Sequence, residues 1–403
     1  MKEDNKKNVI LLIPNLDAGG AERVVSNLSQ RFPEDIRVHI VLHDARKITY
    51  EYKGELIDLG VDFRRDIHLI GGILLASLRL KKIKELREIH TTVSFLSQSH
   101  HINVLSQILG GREEKIILSV RNNQSRKFRG SLYGIFAKAF IKLFYGKAHT
   151  IVTLSEGVKR DLVDNFGIDE SMIKTIYNPC DTERIRFLSK EGLTKEDHRS
   201  IFGDGPILVN VGSLNEQKGQ WHLLRAFAKV REEVPGVKLA IFGEGRYEGY
   251  LKKLRNDLGL NDCVFFMGYQ KNPFKFLSRS DVFVLSSLFE GFGNVITEAM
   301  ACGLPIISAD CESGPREILA PGTDLEKNIK EIEYADFGIL TPVCDGERYG
   351  SKEPLTHEER ELAKAMIHVL RDGQMKERYR KLAMTRVQDF DLENIVGQWV
   401  DIL

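Results

Sequence analysis

The chain has 403 residues, of which 42% are apolar and 29% charged, and its net charge is +1. That length suits two domains of ordinary size, and the composition is that of a soluble globular protein. A balance so near neutrality leaves partners to be read from local clusters of charge. Five cysteines (Cys180, Cys263, Cys302, Cys311, Cys344), odd in number and without Cys-x-x-Cys spacing, argue against a disulfide framework or a zinc site and suit a reducing cytoplasm. Only five consecutive apolar residues, Val9 to Ile13, precede Pro14, too few for a signal peptide. No run approaches the roughly 18 apolar residues that span a bilayer. A cytosolic or peripheral protein is expected.

From Asn8 to Ile13 the chain reads as a buried first strand. A turn with Gly19 and Gly20 and a helix to about Arg31 follow, the opening unit of a doubly wound α/β sheet. The turn is not Gly-x-Gly-x-x-Gly, so a dinucleotide reading has little support, and a plain packing turn is the alternative. Strands are expected near residues 38–42, 92–95, 115–120 and 150–154, with helical patterns between them. Ser155 is placed to cap the helix that follows the last of these.

Between Arg121 and Lys147 stand seven cations and six aromatics with no acidic residue. The cations include Arg126, Lys127, Arg129, Lys138 and Lys142. Phe136, Phe140 and Phe144 recur at helical spacing, with Lys138 and Lys142 flanking that face. A basic, aromatic, amphipathic helix is how a protein lies on an anionic membrane surface. The alternative is a helix that buries its aromatic face in the domain and leaves the lysines in water. No recognisable nucleic-acid module accompanies the cluster, and nucleic acid is not expected as a partner.

Tyr177-Asn-Pro-Cys-Asp181 breaks the pattern, and the charged stretch to about Arg199 reads as an interdomain linker. Domains are therefore expected over residues 1–180 and 200–390. A second α/β set has strands near 207–211, 238–242, 264–268, 282–285 and 306–309, then helices near 358–372 and 375–389. A last helix, 391–403, is expected to return to the first domain.

Chemistry concentrates at strand ends of the second half. Gly212-Ser-Leu-Asn-Glu-Gln-Lys-Gly219 follows its first strand, and Lys218 at the next helix's start suits a diphosphate as a point charge. A solvated helix-start lysine is the alternative. Val282–Leu285 runs into Glu290-Gly291-Phe292-Gly293-Asn294-Val295, and a short helix to about Cys302 follows. Amides at a helix amino end attract anions, and glycine lets a phosphate come close. Glu290 lies where open α/β sheets place ligands. Glu298, one helical turn on, can accept hydrogen bonds from vicinal hydroxyls such as a ribose diol. Anion donors flanked by hydroxyl acceptors suit a sugar nucleotide, against an ordinary turn with two solvated glutamates. One Asp-x-Asp occurs, Asp389-Phe-Asp391, and it reads better as the cap of the last helix than as a metal ligand. No metal or other cofactor is expected.

Glu290-x7-Glu298 with Phe-Gly-Asn inside it, then Glu-Ala-Met-Ala-Cys-Gly-Leu-Pro305, resembles the retaining glycosyltransferases of family 4, which have the two-domain GT-B fold. Gly19-Gly-Ala-Glu-Arg23 matches that family's amino-terminal loop, which faces the donor. The resemblance covers most of the chain and is weak from about Ile48 to Gly111. It implies two Rossmann-like doubly wound domains, acceptor domain first and nucleotide-sugar domain second, with the active site in the cleft between them. It also implies a metal-independent transfer without an enzyme nucleophile. By the same resemblance Glu290 would hold the transferred sugar and the amides of Phe292 to Val295 sugar and phosphate. Glu298 would hold the ribose, Lys218 the diphosphate, the turn at Gly243 the nucleotide and the backbone at Tyr269 the base. Asp310 to Glu317 resembles a loop of members that build bacterial surface glycans. The donor is expected to be a UDP-sugar, and the acceptor a glycan or polyprenyl-linked glycan at the inner face of the cell membrane. The family usually has arginine where this chain has Ser213, which leaves Arg23 or Arg316 as candidates for the second cation. Alternatives are a nucleotide-sugar epimerase and a non-catalytic sugar-nucleotide-binding module, the latter favoured only by Ser213.

Overall fold

A computed structural model describes residues 6–17, 19–61, 69–111, 113–127 and 141–403. The chain divides into two compact units, Met1–Pro179 with Leu392–Leu403, and Cys180–Asp391.

The first unit is built on β1 (Lys7–Ile13), β2 (Ile36–Leu42), β3 (Glu55–Asp58), β4 (Thr91–Phe95), β5 (Lys115–Val120), β6 (Thr150–Thr153) and β7 (Ile173–Thr175). They form one parallel sheet in the order β3-β2-β1-β4-β5-β6-β7. Successive side chains of a strand point to opposite faces, and helices cover both faces of a parallel sheet. Hence β1 is apolar throughout: Val9, Leu11 and Ile13 enter one core, while Ile10 and Leu12 enter the other. The first core is completed by the carboxyl-terminal helix Leu392–Val400, which buries Leu392, Ile395, Val396 and Trp399. Trp399 stacks at 5.9 Å on Phe95, and the Leu403 carbonyl accepts a hydrogen bond from Thr91 Oγ1 at 3.0 Å.

The second unit contains β8 (Ile207–Val211), β9 (Lys238–Phe242), β10 (Val264–Gly268), β11 (Val282–Leu285), β12 (Ile306–Ala309), β13 (Glu333–Tyr334) and β14 (Ile339–Thr341). Their order is β10-β9-β8-β11-β12-β14-β13, parallel except for the β13–β14 pair. From β8 the chain first winds to one side through β9 and β10, then reappears on the other side at β11. The carboxyl ends of β8 and β11 are therefore neighbours at a switch point, where such sheets take their ligands.

Two differences from the sequence reading have simple causes. The expected linker carries two helices, Thr182–Ser189 and Glu196–Gly203, that belong to the second unit. Asp181 caps the first through Arg184 N at 3.0 Å, Ile185 is buried, and Asn272 Nδ2 donates to the Leu188 carbonyl at 2.9 Å. One buried apolar residue in the first short helix and no fully buried residue in the second is too little pattern to see in the sequence. The strands β3, β7, β13 and β14 were not expected either. Each has two to four residues, and ladder bonds to a neighbour rather than periodicity define them.

Candidate active site

The turn after β8 and the turn after β11 are joined at the switch point. Lys218 Nζ lies 2.6 Å from Glu290 Oε1, and the side chains are only 13% and 7% exposed. Ser287 Oγ also donates to Glu290 Oε1 at 2.7 Å, and Gln217 Nε2 to Oε2 at 3.3 Å. The two turns are further bound backbone to backbone by Leu288 N on the Gln217 carbonyl at 2.8 Å, and Ser286 Oγ donates to the Lys218 carbonyl at 2.9 Å. Gly219, at φ +56, is needed for this approach, because a Cβ there would meet the Ser286 carbonyl at 2.5 Å. Three donors, one of them charged, fix the orientation of this carboxylate. Neither Gln217 nor Ser287 was singled out from sequence. The only signal for them is their place in the two turns.

Beyond Glu290 the chain turns through Gly293, which at φ +90 and ψ +53 enters the helix Asn294–Ala301 without a side-chain cap of its own. The residues just ahead are fixed from behind. Phe292 is buried against Phe390 at 5.5 Å, and its carbonyl lies so near Gly314 that a Cβ there would stand 1.9 Å away. Phe292 thus anchors the bend from Gly291 to Val295, whose helix start suits an anion. Glu298 is half-buried on the first turns of that helix, where its charge adds to burial in pushing the Cys302 thiol up to about 12.

The remaining donor-site residues fall on neighbouring turns. Gly243 follows β9 at φ +131, and its missing side chain is explained by packing, since a Cβ would meet the Gly212 carbonyl at 2.1 Å. Ser213 is exposed, and its carbonyl accepts from Gln220 Nε2 at 3.2 Å. Tyr269 follows β10 with its side chain 65% exposed, and its N–H donates to Glu244 Oε1 at 3.2 Å. That amide, expected to read a base, is thus held by a carboxylate. Arg316 is not available as a second cation: it is buried and paired with Asp310 and, at 3.0 Å, with Glu333 Oε2. Asp389 pairs with Arg386 Nη1 at 2.6 Å and Asp391 accepts from Thr182 Oγ1 at 2.9 Å. These two residues serve the end of the second unit.

In the first unit, Gly19 is extended and Gly20 begins the helix Gly20–Arg31. A Cβ on Gly19 would stand 2.1 Å from Glu22 Oε2, so glycine lets that carboxylate fold back over the turn. Burial raises the Glu22 carboxyl above its usual range, its own backbone hydrogen bond lowers it, and Asp17 raises it further. Arg23 lies over the Tyr50 ring at 5.8 Å.

One residue of the basic cluster is corrected. Arg121 was expected at a membrane surface, yet it is buried at the end of β5, donating to Ser119 Oγ at 3.3 Å and to Asn178 Oδ1. Burial pulls its guanidinium down to about 10, against the opposing charge of Glu22. Position 121 ends a strand buried on both faces, which charge counting could not reveal. Of the rest, Arg129 and Lys138 lie outside the described residues, as do Phe136 and Phe140, and for Arg126 and Lys127 only the helix Gln124–Lys127 is described. Lys142 is exposed beside Leu143, which is 63% exposed, while Phe144 and Tyr145 are buried against His101 and His100. Among the described residues no helix is long and apolar enough to cross a membrane.

Comparison with known proteins places the chain in a family. Residues 18–184 match Glycosyltransferase Family 4 and residues 194–330 match Glycosyl transferases group 1. An uncharacterized glycosyltransferase of Methanocaldococcus jannaschii is 38% identical over 288 residues, 71% of this chain and 70% of that protein. An N-acetylgalactosamine-N,N'-diacetylbacillosaminyl-diphospho-undecaprenol 4-alpha-N-acetylgalactosaminyltransferase of Campylobacter jejuni is 27% identical over 384 residues, 94% of this chain and 95% of that one. The crystal structure of Anabaena HepE in complex with UDP and glucose superposes with a TM-score of 0.73 at 18% identity, covering 98% of each chain. This chain belongs to the family 4 glycosyltransferases and has their GT-B fold of two Rossmann-like domains.

Proposed function

We propose that the protein moves a sugar from a UDP-sugar to a polyprenyl-linked glycan, with retention of configuration and without a metal. The observation that carries this reading is the joining of Lys218 and Glu290 beside the uncapped helix start at Asn294, all at one switch point. In this reading Lys218 and the helix amino end stabilise charge on the departing diphosphate, the largest electrostatic demand of the reaction. Glu290, already oriented by Ser287 and Gln217, accepts hydrogen bonds from hydroxyls of the transferred sugar. Glu298 takes the ribose diol. The bond from the anomeric carbon to the β-phosphate oxygen breaks, and the acceptor oxygen bonds to that carbon on the same face. The acceptor's proton leaves to the freed phosphate oxygen, so no nucleophile from the chain is needed.

The UDP donor is supported by HepE, whose structure holds UDP and glucose. A lipid-linked acceptor is supported by the Campylobacter relative, whose acceptor is a diphospho-undecaprenol. Exposed Lys142 and Leu143 support contact with an anionic membrane surface, which would make the enzyme peripheral. Incubation with UDP-sugars and a diphosphate-linked acceptor tests the reading. A transferred sugar whose anomeric coupling matches the donor is expected. An epimerised sugar nucleotide, or binding without turnover, would replace the reading with one of its alternatives.

A further inference from the structure

Arg121 stands out as a buried charge that forms no ion pair among the described residues. Among the described residues its hydrogen bonds go to Ser119 Oγ and Asn178 Oδ1, neither of them charged. Its guanidinium carbon sits 6.0 Å from the centre of the Phe95 ring. No acidic residue occurs from Arg121 to Lys147, so the neighbouring chain brings no counter-charge. Glu22 is near enough to be felt by Arg121, but it makes no ion pair with it. Buried cations are ordinarily paired, because an uncompensated charge removed from water is strongly destabilising.

The position of this arginine says what it is kept for. Arg121 follows β5 at the carboxyl end of the first sheet, the end at which Glu22 follows β1 and Asn178 follows β7. Open parallel sheets bind ligands at that end. Leu96, at the carboxyl end of the adjacent β4, holds φ +71, a conformation leucine rarely adopts and one that collects at functional sites. A guanidinium offers planar paired donors that match phosphate oxygens. Two of its five N–H groups are engaged by Ser119 and Asn178.

We infer that Arg121 is an anion receptor of the first unit, reserved for a phosphoryl oxygen of a diphosphate that the reaction brings in. The inference rests on the glycosyltransfer reading, which supplies diphosphates from two sources, the nucleotide donor and a polyprenyl diphosphate acceptor. Arg121 is a binding residue, and the anion that pairs with it directly arrives with the ligand.

The test uses the full chain and the variants Arg121→Gln and Arg121→Met, with Lys218→Ala as a control. Calorimetry is run with UDP, with uridine, and with a short-chain polyprenyl diphosphate sugar. Either Arg121 variant should lose tenfold or more in affinity for one diphosphate ligand while uridine binding is unchanged. The ligand that suffers names the source. Without ligand, both variants should melt at or above the wild-type temperature, since they remove an unpaired buried charge; a purely structural brace would lower it. Affinities within twofold of wild type for both diphosphates overturn the inference, as does a lowered melting point with all ligands weakened alike. If Lys218→Ala loses UDP while Arg121→Gln loses nothing, the inference fails and the glycosyltransfer reading stands. If the wild type binds none of the ligands, both fall together.

Discussion

Lys218 and Glu290, 72 residues apart in the chain, are bonded to each other at 2.6 Å. The residues read as holding the diphosphate and the sugar are therefore partners of each other, both largely out of water. Removing one partner of such a pair leaves an uncompensated charge, and a ligand that engages both must compete with their attraction.

This pairing makes Glu290→Gln informative. The amide keeps the shape but frees Lys218 for phosphate, so affinity for free UDP should hold or rise. Turnover should fall by at least tenfold, since the sugar loses its charged acceptor. Calorimetry with UDP and a steady-state transfer assay measure the two quantities. Equal losses in both would mean that the wrong glutamate has been given to the sugar.

Glu298→Ala should act on nucleotide binding itself. Two ribose hydroxyls losing a charged acceptor would cost at most about 1.5–3 kcal/mol per hydrogen bond. Unchanged calorimetric affinity for UDP would remove Glu298 from the ribose.

Activity should survive EDTA. In the proposed reading Lys218 and the helix start at Asn294 carry the charge that a divalent ion would otherwise carry. Full loss on chelation, restored by magnesium or manganese, would refute metal independence.

His43 should set part of the acid limit of the first unit. It is buried, 3.0 Å from Ser99 Oγ, and burial pushes its imidazole down to about 3. Unfolded histidine titrates near about 6.5, so between those values the unfolded chain binds the extra proton. Stability from this group is complete above pH about 6.5 and declines as pH falls toward about 3, by a few kcal/mol in order of magnitude. His43→Gln should flatten the fall of the melting temperature between pH 6.5 and 4. Parallel curves for variant and wild type would assign the acid limit elsewhere.

Changing Arg126, Lys127, Arg129, Lys138 and Lys142 to Ser should abolish binding to anionic vesicles and slow transfer to an embedded acceptor. UDP affinity should be spared. Each basic residue near anionic lipid is worth about 1 kcal/mol, and salt should mimic the variant because exposed charges are screened within about a Debye length. A wild-type protein that ignores such vesicles at low salt would point to an acceptor free in solution.

The sequence by itself determined the longer buried strands and the turns that carry the chemistry. An apolar run such as β1 can satisfy its side chains only inside a two-sided sheet, and the turn Glu290–Val295 announces itself by glycines between a strand and a helix. Those are local facts, and local composition expresses them. Only the tertiary structure decided which turns meet. Lys218 and Glu290 touch because β11 returns to pair with β8 after two strands have gone to the other side, an order that no single segment encodes. Burial likewise separates Arg121 from Lys142. In the chain they form one cationic string, but β5 ends inside the unit and buries Arg121, whereas Lys142 emerges into water. Short edge strands such as β7 and β13 were illegible for the complementary reason, since a strand of two or three residues exists only through the neighbour that binds it.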